Sequence, residues 1–184
     1  MFTDKFKEFP KSKILYILAV VGFLIVLFVE IFVFIPIEST ISTYGILDYE
    51  FAWNADRILT IFVTWGPTGI ASQINAIYWD FLFIFGYVSL AFSLIVLVFQ
   101  RSNEQIQTIG KYIPITPILT GVFDIIENVF LLIMASNLGS VNDSYSIIAS
   151  LSASLKFGLL IVGIIFFIGA LILIIFHKIQ KRNE

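Results

Sequence analysis

Four uninterrupted apolar blocks constrain this chain more than any other feature. They cover residues 14–37, 76–99, 113–135 and 155–176. A helix needs about 20 mostly apolar residues to cross the hydrocarbon of a bilayer, and each block is long enough. Hydrophobic residues make up 59% of the chain and charged residues only 13%, whereas soluble domains are about 25% charged. The sequence therefore predicts an all-α integral membrane protein, a four-helix bundle forming a single domain over 1–184, and excludes a soluble or disordered chain and a nucleic-acid partner.

The basic residues predict how the bundle is oriented. Nine of the eleven lysines and arginines flank the same ends of the apolar blocks, and only Arg57 and Lys156 fall on the other side. Cytoplasmic segments of membrane proteins carry an excess of basic residues. We therefore expect a multi-pass protein of the cell membrane with both termini in the cytoplasm. The nine residues are Lys5, Lys7, Lys11, Lys13, Arg101, Lys111, Lys178, Lys181 and Arg182.

The first external connection, 38–75, is too long for a simple hairpin. Asn54 suits the cap of a short helix over 55–65 that has one apolar face. Gly66-Pro67 should end this helix, because a proline disfavours helical geometry in the residue before it. We expect the short amphipathic helix to lie at the membrane surface or to cover the bundle as a lid.

The second external connection, 136–154, has helical character towards its end. Asn142 or Asp143 can cap a helix that runs straight into the fourth block. Small residues recur every four positions there, and such a ridge lets two helices approach closely. Packing within the chain is the favoured interpretation, and a homodimer through the fourth helix is the alternative. The ridge consists of Ser146, Ser150, Ser154 and Gly158.

A few polar groups interrupt the apolar blocks. Ionisable groups inside a span are costly and are therefore candidates for function. A rise of about 1.5 Å per residue places them at the midplane or in the external half, with Lys156 roughly 30 Å from the cytoplasmic ends. This depth favours Glu30 or Asp80 over Asp124 as the partner of Lys156. The predicted ligand-binding residues are Asn128, Asp80, Tyr87, Glu30 and Lys156.

The most specific motif is Asp124-Ile125-Ile126-Glu127-Asn128. Spacings of three and four put its polar side chains on one helical face among apolar neighbours, so that face should point inward. Two carboxylates this close are not both charged at low dielectric without a cation. Either one stays protonated, a lysine or metal neutralises the pair, or water reaches it. Asp124 and Glu127 are the predicted catalytic pair, and a buried network that only orients the helices is the alternative.

The chain has few residues that could bind a metal through nitrogen or sulfur or act as a thiol. There is no cysteine, and His177 is the one histidine. This composition excludes disulfides and zinc or haem sites built from cysteine and histidine. We expect no metal and no cofactor.

Four sets of residues together support a family resemblance. They are the stretch 45–52, Trp65, the Trp79-Asp80 to Tyr87 segment and the Asp124-x-x-Glu127-Asn128 face. The pattern resembles a group of small four-helix prokaryotic integral membrane proteins with no assigned activity. This resemblance implies that the polar residues form one unit. A weaker likeness is to sterol-isomerase-type membrane bundles, which hold a lipid beside acidic residues, although this chain lacks the histidine that such an enzyme would use.

These observations predict a protein that binds a membrane lipid or another hydrophobic or amphiphilic small molecule. The pocket would be acidic, aromatic-walled and in the external half of the bundle. If the protein is an enzyme, Asp124 and Glu127 would supply acid–base chemistry. Two alternatives stay open, namely a proton- or cation-coupled small transporter and a structural or accessory membrane subunit.

Overall fold

Four helices of this chain are long and apolar enough to cross a membrane. A computed structural model describes residues 2–39 and 43–183, and every regular element within them is helical. A 3-10 turn precedes the first helix and a π-helical turn lies inside it, at Glu30–Phe34. The α-helices in chain order are α1 (Ser12–Glu38), α2 (Ile46–Glu50), α3 (Ala55–Arg101), α4 (Glu104–Ile109), α5 (Thr116–Ser136) and α6 (Asp143–Asn183).

The four long helices confirm the predicted all-helical class with four apolar spans, and two of the helices begin well before their apolar blocks. α3 is helical long before residue 76. α6 begins at Asp143 and runs straight into the fourth block, as the predicted cap at Asn142 or Asp143 indicated. The additional turns contain polar residues such as Gln73 and Ser150, which are buried against neighbouring helices. A count of apolar residues cannot detect turns of this kind.

Gly66 divides α3 into two parts. Its φ of 64° and ψ of 179° interrupt the helix, and a glycine adopts this left-handed φ without a steric penalty. The first part begins as predicted, because Asn54 Oδ1 accepts a hydrogen bond from Arg57 N at 2.8 Å. Its apolar face packs onto the bundle in a cluster of buried residues that includes Ile58, Ile61, Phe62, Tyr49, Leu131 and Met134.

We call the two ends of the bundle the termini end, where the first and last helices begin and end, and the connection end, where the two long connections lie. At the termini end, Gln100 Nε2 donates to the carbonyl oxygens of Phe6 and Pro10 at 3.2 and 3.0 Å. At the connection end, Asp143 Oδ1 accepts from Ala55 N at 2.8 Å, so the two long connections meet. The chain therefore passes between these ends four times.

The helices do not all pack against one another. α1 packs on α3, whereas α5 and α6 pack on each other and on α3. α1 and α3 approach each other closely at Gly22, where an added Cβ would lie 2.5 Å from the carbonyl oxygen of Gly86. Among the described residues, α1 forms no packed pair with α5 or α6. A cleft therefore separates α1 from the α5–α6 pair, with α3 behind it.

The small-residue ridge of α6 packs within the chain over its first turns. Ser150 Oγ donates to the carbonyl oxygen of Glu50 at 2.7 Å and accepts from Trp53 N at 3.0 Å. Ser146 is also buried, but Gly158 is exposed. The predicted packing within one chain is thus present at the connection end, and the homodimer stays a prediction.

A few residues used in the sequence predictions lie outside the described part of the chain. They are Met1, residues 40–42 of the first connection and Glu184. The side chains of Lys181 and Arg182, which contribute to the predicted orientation, also lie outside it.

We expect Gly22→Ala to separate α1 from α3. The added Cβ would meet backbone atoms of α3, which cannot move aside as the end of a side chain can. Overpacking of this kind costs about 1–3 kcal/mol. Thermal unfolding in detergent should show a lower Tm for this variant. Gly158→Ala is the matched control, because nothing lies within 4 Å of its added Cβ, and an equal fall in both variants would contradict the proposed contact.

Candidate functional site

An ion cluster centred on Lys156 lies inside the bundle. Lys156 Nζ on α6 lies 2.8 Å from Asp124 Oδ1, 2.9 Å from Glu127 Oε2 and 3.5 Å from Glu50 Oε2. All four residues are buried, and Glu127 is 0% exposed. Asp124 and Glu127 are one turn apart on α5 and so face the same lysine. Of the outcomes open for this carboxylate pair, the structure therefore contains the one in which a lysine lies between them.

Two short hydrogen bonds join α3 to α5 at the cluster and beside it. Tyr87 Oη donates to Asp124 Oδ2 at 2.6 Å, and Asn128 Nδ2 donates to Asp80 Oδ2 at 2.6 Å. Hydrogen bonds to carboxylates are short and about twice as strong as those between neutral groups. Tyr87 is thus connected to Lys156 through Asp124, whereas Asp80 and Asn128 form a separate pair.

The partner of Lys156 differs from our expectation. We expected Glu30 or Asp80, and the lysine is paired with Asp124, Glu127 and Glu50. The cause is the length of α6, because its early start places Lys156 roughly 20 Å from the connection end at 1.5 Å per residue. Asp124 lies roughly 18 Å from the same end of α5, so the two side chains are level.

Glu50 is a member of the cluster that the sequence predictions missed. It ends α2, and the Ser150 hydroxyl on its backbone oxygen holds it against α6. The adjacent Tyr49 anchors α2 as well, since its hydroxyl donates to the carbonyl oxygen of Leu131 at 2.7 Å. Burial raises the pKa of the Glu50 carboxyl above its ordinary value, Lys156 opposes the rise and Asp124 adds to it. The aromatic residues around Glu50 in the sequence were the available signal that this connection folds inward.

A cavity of about 510 Å³ lies beside the cluster and is lined by all four long helices. Its charged and amide side chains all line the part near the connection end, where apolar residues such as Ile77 and Phe83 also lie. Asp80 and Tyr87 line it from α3, but beyond Tyr87 towards the termini end α3 contributes only apolar residues. The hydroxyls of Thr116 and Thr120 bond to carbonyl oxygens of residues earlier in the chain. The apolar part is lined by Leu90, Ala91, Leu94, Ile95, Pro117, Ile164 and Phe167.

Glu30 and Gln73 also line the polar part of the cavity. Glu30 lines the cavity from the π-helical turn of α1, and it forms no ion pair with Lys156. Gln73 of α3 also lines the cavity, is 2% exposed, and its Oε1 has no hydrogen-bond partner among the described residues. The sequence predictions missed Gln73 because it precedes the apolar block over 76–99.

The two predicted catalytic residues differ in their access to the cavity. Asp124 lines it, whereas Glu127 is fully buried and is not among the described residues that line it. A molecule in the cavity would therefore contact Asp124, Asp80 and Glu50 directly. Chemically, the arrangement can accept hydrogen bonds at carboxylates and enclose an apolar chain. The catalytic roles of Asp124 and Glu127 stay a prediction.

We expect Lys156→Gln to destabilise the protein strongly. Removal of one partner from a buried ion pair leaves the other charge uncompensated, at a cost of about 3–5 kcal/mol. The free energy of unfolding in mixed detergent and SDS measures this loss. The control Lys178→Gln changes an exposed lysine of the same helix and should shift it by less than about 0.5 kcal/mol.

A double variant tests whether the charge itself is responsible. Adding Glu127→Gln to Lys156→Gln removes a buried carboxyl and should recover part of the lost free energy. A double variant at least as unstable as the sum of the two single variants would show that Lys156 acts only through packing.

Comparison with known proteins adds no family to this description. No family model, no curated protein and no solved structure matched the chain. The resemblance to small four-helix membrane proteins therefore stays a prediction, and the function has to be argued from the chemistry of the cavity.

Proposed function

We propose that this protein binds a membrane lipid or another amphiphile in the cavity, with the polar head near Asp80 and Asp124 and the apolar chain towards Ile95. The observation that carries the proposal is that carboxyl and amide groups line only the part near the connection end, where apolar residues such as Ile77 and Phe83 also lie. The rest of the lining is apolar apart from Thr116 and Thr120. An amphiphile has the same division of polarity along its length. A solute that is polar throughout would leave its far end against apolar walls.

The size of the cavity supports a ligand of this kind. Sites for small molecules usually measure about 300–1,000 Å³, and this cavity measures about 510 Å³. Aromatic rings contribute to its walls, including those of Phe34 and Phe83, whose centroids are 5.1 Å apart. The space therefore suits one chain-bearing molecule better than a bare ion.

The route of entry follows from how the helices pack. The cavity is lined by α1 and by α6, and these two helices do not pack side by side in the described part of the chain. We infer that a ligand enters from the bilayer through the cleft between them. Such a ligand never has to leave the membrane on its way to the cavity.

We further infer that this is a multi-pass protein of the cell membrane with both termini in the cytoplasm. The support is the concentration of lysine and arginine at the termini end. On this orientation the polar part of the cavity lies in the external half of the membrane, beneath α2 and the first part of α3.

Single cysteines test the orientation, because the chain has none of its own. We expect Ser144→Cys, at the connection end, to react with a membrane-impermeant maleimide on intact cells. Gln105→Cys, at the termini end, should react only after permeabilisation. Both residues are exposed, so accessibility within the fold does not bias the comparison. The reverse labelling pattern would overturn the orientation.

A variant that fills the cavity tests the proposed function. Ala91 lines the apolar part, and Ala91→Phe would occupy the space proposed for the ligand chain. We expect the lipid that copurifies with the protein, counted by native mass spectrometry, to fall at least about tenfold, a loss of about 1.4 kcal/mol in binding.

The matched control is Ala71→Phe, which adds the same side chain at an exposed position of the same helix. It should leave the bound lipid unchanged. Equal lipid in the wild type and Ala91→Phe, with both variants folded, would refute binding in this cavity.

A further inference from the structure

The polar part of the cavity has far more acidic groups than basic ones. Carboxyl side chains line it from four elements, and Lys156 is its only lysine or arginine among the described residues. A long-chain anion entering this space would meet like charges at low dielectric, where repulsion is strong. The lining carboxyls are Glu30, Glu38, Glu50, Asp80 and Asp124.

Lys156 is already compensated by carboxyls of the fold. It donates hydrogen bonds to Asp124 and Glu127 at 2.8 and 3.0 Å. Glu50 Oε2 adds a third carboxyl at 3.5 Å, as an ion pair without a hydrogen bond. The cation of the cavity therefore belongs to the fold rather than to a ligand.

The same part of the cavity has acceptors without donors. Gln73 Oε1 is buried with no hydrogen-bond partner, and Glu50 Oε2 has only its ion pair with Lys156. Asp80 Oδ2 accepts a hydrogen bond of 2.6 Å from Asn128. Gln73 and Asp80 are seven residues apart, which puts them two turns apart on one face of α3. A buried acceptor without a donor destabilises the fold, so a ligand that supplies donors is favoured here.

We propose that the ligand is a long-chain amine, whose ammonium head group lies between Gln73, Asp80 and Glu50 and whose chain extends along α3 past Ala91. An ammonium group supplies both things that this place lacks, N–H donors and positive charge. This proposal rests on the proposed function and narrows it to one class of amphiphile. A neutral alcohol supplies one donor and no charge, and a carboxylate supplies neither.

Three probes with the same chain separate these head groups. Dodecylamine, dodecanol and dodecanoate are titrated into the purified full-length protein in detergent, and binding is measured by competition with a fluorescent alkyl probe. We expect dodecylamine to bind at least about tenfold more tightly than dodecanol, with dodecanoate the weakest. Dodecanoate equal to or better than dodecylamine would overturn the proposal.

Variants of the head-group site test where the selectivity arises. Asp80→Asn retains the shape and removes the charge, and it should weaken dodecylamine about tenfold while leaving dodecanol nearly unchanged. Gln73→Leu provides a second variant that keeps Asp80. It should weaken the binding of both dodecylamine and dodecanol, because both head groups donate hydrogen bonds. Selectivity for the amine that survives in both folded variants would place the head group elsewhere and overturn the assignment.

Ala91→Phe distinguishes failure of this inference from failure of the proposed function. If no probe binds, or if Ala91→Phe leaves all binding intact, the cavity itself is not the site. If dodecanol or dodecanoate binds best and Ala91→Phe abolishes that binding, the cavity binds amphiphiles but the amine assignment is wrong.

Discussion

The connection end of the bundle depends on the ion pairs of a single ammonium group, that of Lys156. It lies among carboxyls from α5 and α2, and all of these residues are buried. An uncompensated charge in such a place costs several kcal/mol. The ion pairs therefore fix the register of α6 against α5 and keep α2 folded onto the bundle. The hydrogen bond from Tyr87 to Asp124 joins this cluster to α3, and the separate bond from Asn128 to Asp80 joins α5 to α3 beside it.

The cluster also explains the character of the cavity beside it. A lysine that is compensated inside the fold leaves the remaining carboxyls to determine the electrostatics of the open space. Stability and the proposed binding would thus draw on the same residues, since Asp124 contacts Lys156 and also lines the cavity. Membrane bundles can be held together by small and neutral polar residues, as Ser150 does here, so the ionised cluster exceeds what packing alone requires.

The features of the fold and of the site that could be predicted from the sequence are those with a strong local pattern of residues. Apolar blocks of about 20 residues predicted the four spans, and a spacing of three residues put Asp124 and Glu127 on one inward face. The predicted partner of Lys156 was wrong because depth was counted from the cytoplasmic end of each apolar block, whereas Lys156 and Asp124 lie level when counted from the connection ends of α6 and α5. Glu50 and Gln73 were missed for a related reason: each lies in a polar stretch whose burial depends on contacts with distant residues. Such contacts leave no periodicity in the sequence.

The cleft between α1 and the α5–α6 pair has a consequence for how any ligand is selected. A molecule that arrives through the bilayer has already left water, so its chain gains no hydrophobic free energy by moving from lipid tails to aliphatic side chains. Chain length and chain saturation then contribute little to discrimination, because the surrounding lipid competes on equal terms. What remains to separate one amphiphile from the thousands of lipids around it is the exchange of head-group contacts at the membrane surface for those of Gln73, Asp80 and Glu50. Recognition of the proposed ligand would therefore be a matter of polar chemistry carried out within an apolar solvent.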